Sequence, residues 1–286
     1  MIDLFYTNLT MNYEILRILF AVIGTSISAY FDIFNKKNIP DLVLYIFLVL
    51  SLIIVFIDFN LTLIIYSIGC ALIVGIIGYL FYKAGQIGGA DVFILCSLAL
   101  LLPVQPKLFG NTSNINLPFI FSIISVAGFV FIIYVLFKYT PMVLKRKEKI
   151  ELKRIIYSLP LICIFLIFIL LSKKIDLPAI YLILIGFLIC VSIYFSIFKE
   201  RFMKTLIEKI PLNKIENEDV IAIEYMNKKI VEKYNIPRVV SSSDLKRLKN
   251  AKISKYPVYT KLPMFVPFIL IGLLFSLYFG SLLFLF

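Results

Sequence analysis

The chain contains no histidine, which removes Ser-His and Cys-His nucleophilic pairs and any histidine-ligated metal site. Its four cysteines, Cys70, Cys96, Cys163 and Cys190, stand alone in apolar runs with no CxxC spacing. That pattern offers neither a zinc site nor a disulfide framework, and the expected chemistry calls for no cofactor. Carboxylates remain, and two stand out. Asp32 closes an apolar run in SISAYFDIFNKKNIPD, and Asp91 opens another in GQIGGADVFIL. An ionised side chain within a bilayer costs roughly 2.5–3.5 kcal/mol on insertion scales, so each needs an account. Two carboxylates sharing one water cannot easily both ionise and therefore share a proton. One then acts as general base on the water while the other donates to a scissile carbonyl oxygen, the division of labour of an aspartic protease.

Each aspartate has a blander reading. A negative charge at the C-terminal end of a helix opposes the macrodipole, so helix-end chemistry does not ask for Asp32, but Lys36 and Lys37 just beyond it offer ion pairs. Asp91 follows Gly88 and Gly89 and fits an N-cap. Asp41, after Ile39 and Pro40, sits in a first helical turn where the dipole welcomes it. Topology separates the readings, because the runs ending at Asp32 and beginning at Asp91 meet the same membrane face. Packing those two helices side by side puts both carboxylates at one depth. Gly88, Gly89 and Ala90 lack bulk, which lets backbone approach an extended substrate or a neighbouring helix.

The elements that must hold this pair are membrane spans. Of 286 residues, 61% are hydrophobic and the mean hydropathy is +0.99, far above an ordinary soluble domain. Runs of suitable length predict eight transmembrane helices near 13–31, 41–58, 61–82, 88–103, 117–138, 156–172, 178–198 and 263–285. The fourth is short, since the apolar run from Val92 covers eleven residues, and it reads either as a full span with Asp91 sunk below the surface or as a re-entrant segment. Of the 29 Lys and Arg residues, 25 fall in the linkers after spans one, three, five and seven. The positive-inside rule then places the N-terminus outside and both aspartates at the cytoplasmic face. The flank MIDLFYTNLTMNYE has no basic n-region, so span one is not expected to be a cleavable signal peptide.

The fold class expected is an all-α polytopic membrane protein with a small helical cytoplasmic insertion. Its parts are a transmembrane core over 1–140, a basic connector with two further spans over 141–198, the insertion over 199–262, and a last span over 263–286. A net charge of +12 lies on one membrane face and points to anionic lipid headgroups rather than nucleic acid. Within the insertion, IENEDVIAIEYMNKKIVEKYN spaces Val220, Ile223, Met226, Ile230 and Val231 as one amphipathic helix. Ser241 to Ser243 offer a cap for a second helix, DLKRLKNA.

DIFNKKNIPD from Asp32 and GGAD at 88–91 resemble the D-x(6)-I-P and G-x-G-D elements of the type IV prepilin peptidases, and most closely the archaeal branch that includes the preflagellin peptidases. The resemblance covers roughly residues 13–140, with the two elements 59 positions apart. It implies a membrane aspartic endopeptidase whose catalytic aspartates are Asp32 and Asp91, with Gly88, Gly89, Ala90, Ile39, Pro40 and Asp41 as supporting motif positions. It further implies pilin-like or archaellin precursors as substrate partners, cut between a short basic leader and an apolar helix. Ala90 replaces the motif's second glycine, and Phe93 stands where many bacterial relatives have lysine. The cysteine tetrads of bifunctional bacterial members are missing, which implies proteolysis without N-methylation. A basic leader nearing a basic face needs local acids, for which Asp41 or the Glu216, Glu218 and Asp219 cluster are candidates. The competing readings are a presenilin-like or signal-peptide-peptidase-like protease, for whose PAL motif LPM and VPF are poor substitutes, and an ion- or proton-coupled transporter. Oligomeric state is not legible.

Overall fold

The computed structural model describes residues 2–35, 39–57, 60–106, 117–148, 153–175, 179–216, 218–241, 243–251 and 253–280. Helices form at all eight apolar runs: α1 (Ile2–Phe34), α2 (Asp41–Ile57), α3 (Leu61–Lys83), α4 (Gly89–Leu101), α5 (Phe119–Lys145), α6 (Lys153–Ile175), α7 (Ala179–Ile197) and the last, α11 (Val266–Phe279). Tyr13–Phe34, Leu61–Lys83, Phe119–Lys145 and Ala179–Ile197 are each long and apolar enough to cross a membrane, and four shorter apolar helices accompany them. The chain is a mostly helical, multi-pass membrane protein.

Polar side chains within these helices turn back on their own backbone, as an apolar surrounding demands. Thr25, Ser28, Ser51 and Ser97 donate to the carbonyls of Ala21, Gly24, Phe47 and Phe93 at 2.7–2.9 Å. The core gathers around α4, which packs against α3, α2 and α1, while α11 packs against α5 and α1. Two of these contacts leave no room for a side chain. A Cβ on Gly78 would lie 2.7 Å from Val92 Cγ1, and one on Gly272 would lie 2.5 Å from the Ile123 carbonyl oxygen. With 13 residues, α4 rises only about 20 Å, against about 30 Å of bilayer hydrocarbon. Eight of its residues are buried, so α4 is lodged among helices and need not match the lipid.

The insertion holds the short helices expected of it and adds a two-stranded sheet. It runs α8 (Lys199–Leu206), β1 (Ile207–Ile210), α9 (Lys228–Tyr234), α10 (Leu245–Asn250) and β2 (Tyr256–Tyr259), with 3-10 turns at Leu212–Lys214 and Ile223–Tyr225. The strands pair antiparallel, from Ile207 opposite Tyr259 to Ile210 opposite Tyr256. The single amphipathic helix expected across 215–235 is reduced to the second 3-10 turn and α9. Val220 and Ile221 instead bridge Val239 and Val258, because an extended β-branched pair can pack on a sheet edge that sequence spacing alone does not reveal. Asn227 caps α9, its side chain accepting from the Lys229 amide at 3.0 Å, and Asn235 ends it at φ +47°. The helix expected at DLKRLKNA forms as α10, but Asp244 directly precedes it and accepts from the Ser241 amide at 3.1 Å; Ser242 lies outside the described residues.

Ile221, Leu248, Tyr256 and Val258 fill the lobe's own core. A second cluster joins the lobe to the membrane helices, where Leu206, Ala222 and Tyr259 pack on Val135 and Tyr139 of α5. The Tyr139 hydroxyl donates to the Lys261 carbonyl at 2.6 Å.

Candidate active site

Asp32 lies in the last turn of α1 and is 6% exposed. The lysines that could pair with it, Lys36 and Lys37, lie outside the described residues. Ile39 is buried in the main core, and the Pro40 carbonyl accepts the amides of Val43 and Leu44 at 2.9 and 3.4 Å. Pro40 has no amide to satisfy and a fixed φ, which suits the start of a helix. Asp41 follows as the first residue of α2, exposed, where the dipole favours it. In the D-x(6)-I-P element, Ile39 therefore anchors and Pro40 launches, and together they fix where the chain returns after Asp32.

The second aspartate is placed by a turn that glycine makes possible. α3 ends in a Schellman arrangement, with the Gln86 amide donating to the Phe81 carbonyl at 3.0 Å and the Gly85 amide to Tyr82 at 2.8 Å. Gly85 has φ +65°, a region costly to any residue with a Cβ. Three residues later Gly88 is extended, at φ −75° and ψ 152°, and is the N-cap of α4. Asp91 is therefore not itself the N-cap, the blander of the two roles its position allows. It is the third helical residue, and its Oδ2 accepts the Gly88 amide at 3.0 Å, the reciprocal half of a capping box.

That bond orients Asp91, and the small residues around it leave room for it. A Cβ on Gly88 would come within 3.1 Å of Asp91 Oδ2. Ala90, in place of the motif's glycine, packs its methyl against the main core. Phe93 stacks edge-on with Tyr45 of α2, their ring centroids 5.5 Å apart, so this position serves packing. Asp91 is 9% exposed, and α1, whose last turn holds Asp32, packs on α4. Two buried carboxylates thus come from helices that pack on one another, one of them beside a glycine turn. No grouping of three or more His, Cys, Asp or Glu with metal-holding geometry occurs among the described residues.

The candidate acids of the lobe separate. Asp219 accepts the Glu216 amide at 2.8 Å and closes its own turn. Glu218, at φ +69°, forms the tip and reaches α4: its Oε1 lies 3.2 Å from where a Gly89 Cβ would be, with the Tyr82 hydroxyl 3.5 Å away. Burial first, and the Asp41 charge second, push the Glu218 carboxyl above its ordinary value. The sequence reading did not single out Tyr82 or Arg238, the other residues that meet at this turn, and a lone tyrosine or arginine among many gives no signal.

Residues 19–136 match the type IV leader peptidase family. The stretch contains both aspartates, both motif elements and most of the helices around them. No curated protein and no solved structure matches the chain.

Proposed function

Starting from a type IV leader peptidase family domain at residues 19–136, we propose that Asp32 and Asp91 are the catalytic pair of a membrane-embedded aspartic endopeptidase. Its substrates are type IV pilin-like or archaellin precursors, cut at the cytoplasmic membrane face to remove a short basic leader. The observation that carries this reading is the burial of two carboxylates on the packed helices α1 and α4, both inside the matched region.

The chemistry follows from sharing one proton. The ionised aspartate takes a proton from a water as its oxygen attacks the scissile carbonyl carbon. The protonated partner gives its proton to the carbonyl oxygen, producing a neutral tetrahedral diol. Collapse of the diol breaks the C–N bond, with a proton passing to the leaving amine and the carboxyl product retained on the leader. The Gly88 amide, held on Asp91 Oδ2, keeps that carboxylate in one rotamer through both steps. No cofactor enters the scheme.

Excess Lys and Arg on the lobe side supports a cytoplasmic site with the N-terminus outside, and contact with anionic lipid rather than nucleic acid. The long C-terminal region and the missing cysteine tetrads support the archaeal, preflagellin-type branch and cleavage without methylation. The test incubates membranes containing the protein with pilin-like and archaellin-like precursors, alongside Asp32→Asn and Asp91→Asn. Loss of cleavage in each single variant is the expected result; full activity in either sinks the mechanism. A methylated N-terminus on the mature product, with a methyl donor supplied, would overturn the reading of proteolysis alone.

A further inference from the structure

The turn that delivers Asp91 is poor in side chains. Gly85, Gly88 and Gly89 fall within five residues, and glycine loses more backbone freedom on ordering than any other residue. A catalytic carboxylate must nevertheless be held to about half an ångström. The hydrogen bonds within the turn fix its two ends, but the wall against it comes from elsewhere in the chain.

That wall is the cytoplasmic lobe, which lies outside the matched residues 19–136. It touches the turn at both ends. At the first, Val220 Cγ1 and Arg238 Nε lie 3.0 and 3.1 Å from where a Gly85 Cβ would be. At the second, Glu218 meets Gly89 and the Tyr82 hydroxyl. The contacts are backed by a chain of interactions leading to α5. Arg238 pairs with Glu224 at 3.5 Å, Glu224 accepts from the Tyr259 hydroxyl, and Tyr259 packs in the cluster around Tyr139. A strut thus runs from the fifth membrane helix, through the sheet of the lobe, to the turn ahead of Asp91.

We propose that the lobe braces the α3–α4 turn, with Glu218 and Arg238 as positioning residues that hold Asp91 in its working geometry. The inference rests on the reading of Asp91 as one of the catalytic pair. Glu218 acts by contact and as a hydrogen-bond acceptor rather than by its charge, which burial first and Asp41 second disfavour. An amide of the same shape therefore serves nearly as well.

The full-length protein in lipid nanodiscs tests this in two measurements. The first is precursor cleavage, split into kcat and KM. Glu218→Ala and Arg238→Ala are each expected to lower kcat about tenfold with KM within about twofold, and Glu218→Gln to recover most of the lost rate. The second is hydrogen exchange without substrate. Amides of residues 84–91 are expected to exchange faster in both alanine variants, while those of β1 and β2 stay protected, which separates a loosened turn from an unfolded lobe. Unchanged kcat and unchanged exchange in both alanine variants overturn the brace. So does a raised KM at unchanged kcat, which would make these residues substrate contacts. Asp91→Asn is run beside them: if it still cleaves, the catalytic assignment fails, and the exchange data still decide whether the lobe holds the turn.

Discussion

α4 and α7 are both apolar helices, and they differ in what surrounds them. α7 has 19 residues with Val191 alone buried, and α4 has 13 with eight buried. α7 presents residues such as Ile183, 65% exposed, to lipid, and its main helix neighbour is α6. α4 is enclosed by α1, α2 and α3 and carries Asp91. α7, which reads plainly as a membrane span, thus has little protein around it. The helix carrying the candidate chemistry is too short to read plainly, because other helices have replaced lipid as its solvent. Hydropathy alone does not report how far a segment is enclosed by protein, since α5 is as apolar as α7 and far more buried.

The contrast can be broken first at the chemistry. Asn for Asp at 32 or 91 should cut precursor cleavage by about a hundredfold to ten-thousandfold, read as conversion on gels, while Ile183→Ala on α7 leaves it unchanged. The next effect is on stability. Leu98→Ala removes a fully buried side chain of α4 and should cost about 2–5 kcal/mol in thermal unfolding in detergent, against no more than about 0.5 kcal/mol for Ile183→Ala. If the two losses are equal, α4 is not the packed centre described above. Gly85→Ala should cost about 1–2 kcal/mol, because φ +65° puts a Cβ against its own carbonyl.

The smallest effect concerns Glu218. Its folded carboxyl titrates above its unfolded value, by burial and then by Asp41. Its contribution to lobe docking is therefore full below the unfolded value and is lost as pH rises through the raised one. Glu218→Gln should accordingly gain on the wild type as pH rises from about 4 to about 7, measured by hydrogen exchange across residues 84–91. A constant difference over that range would show that the charge has no part in docking.

Much of the membrane architecture was legible because lipid imposes one rule on every span. All eight runs became helices, and reading topology through Asp32 and Asp91 brought α1 and α4 together. The Gly-rich stretch was legible as a turn, but its division of labour was not: Gly85 supplies the left-handed residue, Gly88 caps, and Asp91 reaches back from the third helical position. The lobe was read least well. The periodicity of 215–235 suggested one helix, whereas Val220 and Ile221 pair with Val239 and Val258, contacts made with residues up to 37 positions away. The meeting of Glu218 with Gly89 spans still more of the chain, and no local pattern encodes it.

The place of α11 sets an order in time. It is the last of the described helices, yet it lies against both α5 and α1, with Gly272 seated on the backbone of α5. Because translation runs from the N-terminus, α1 is made before the other described helices and meets this neighbour only after α2 to α10 have followed. The contact between α1 and α11 therefore closes late among the described helices, and the helix that carries Asp32 gains this side of its packing only then.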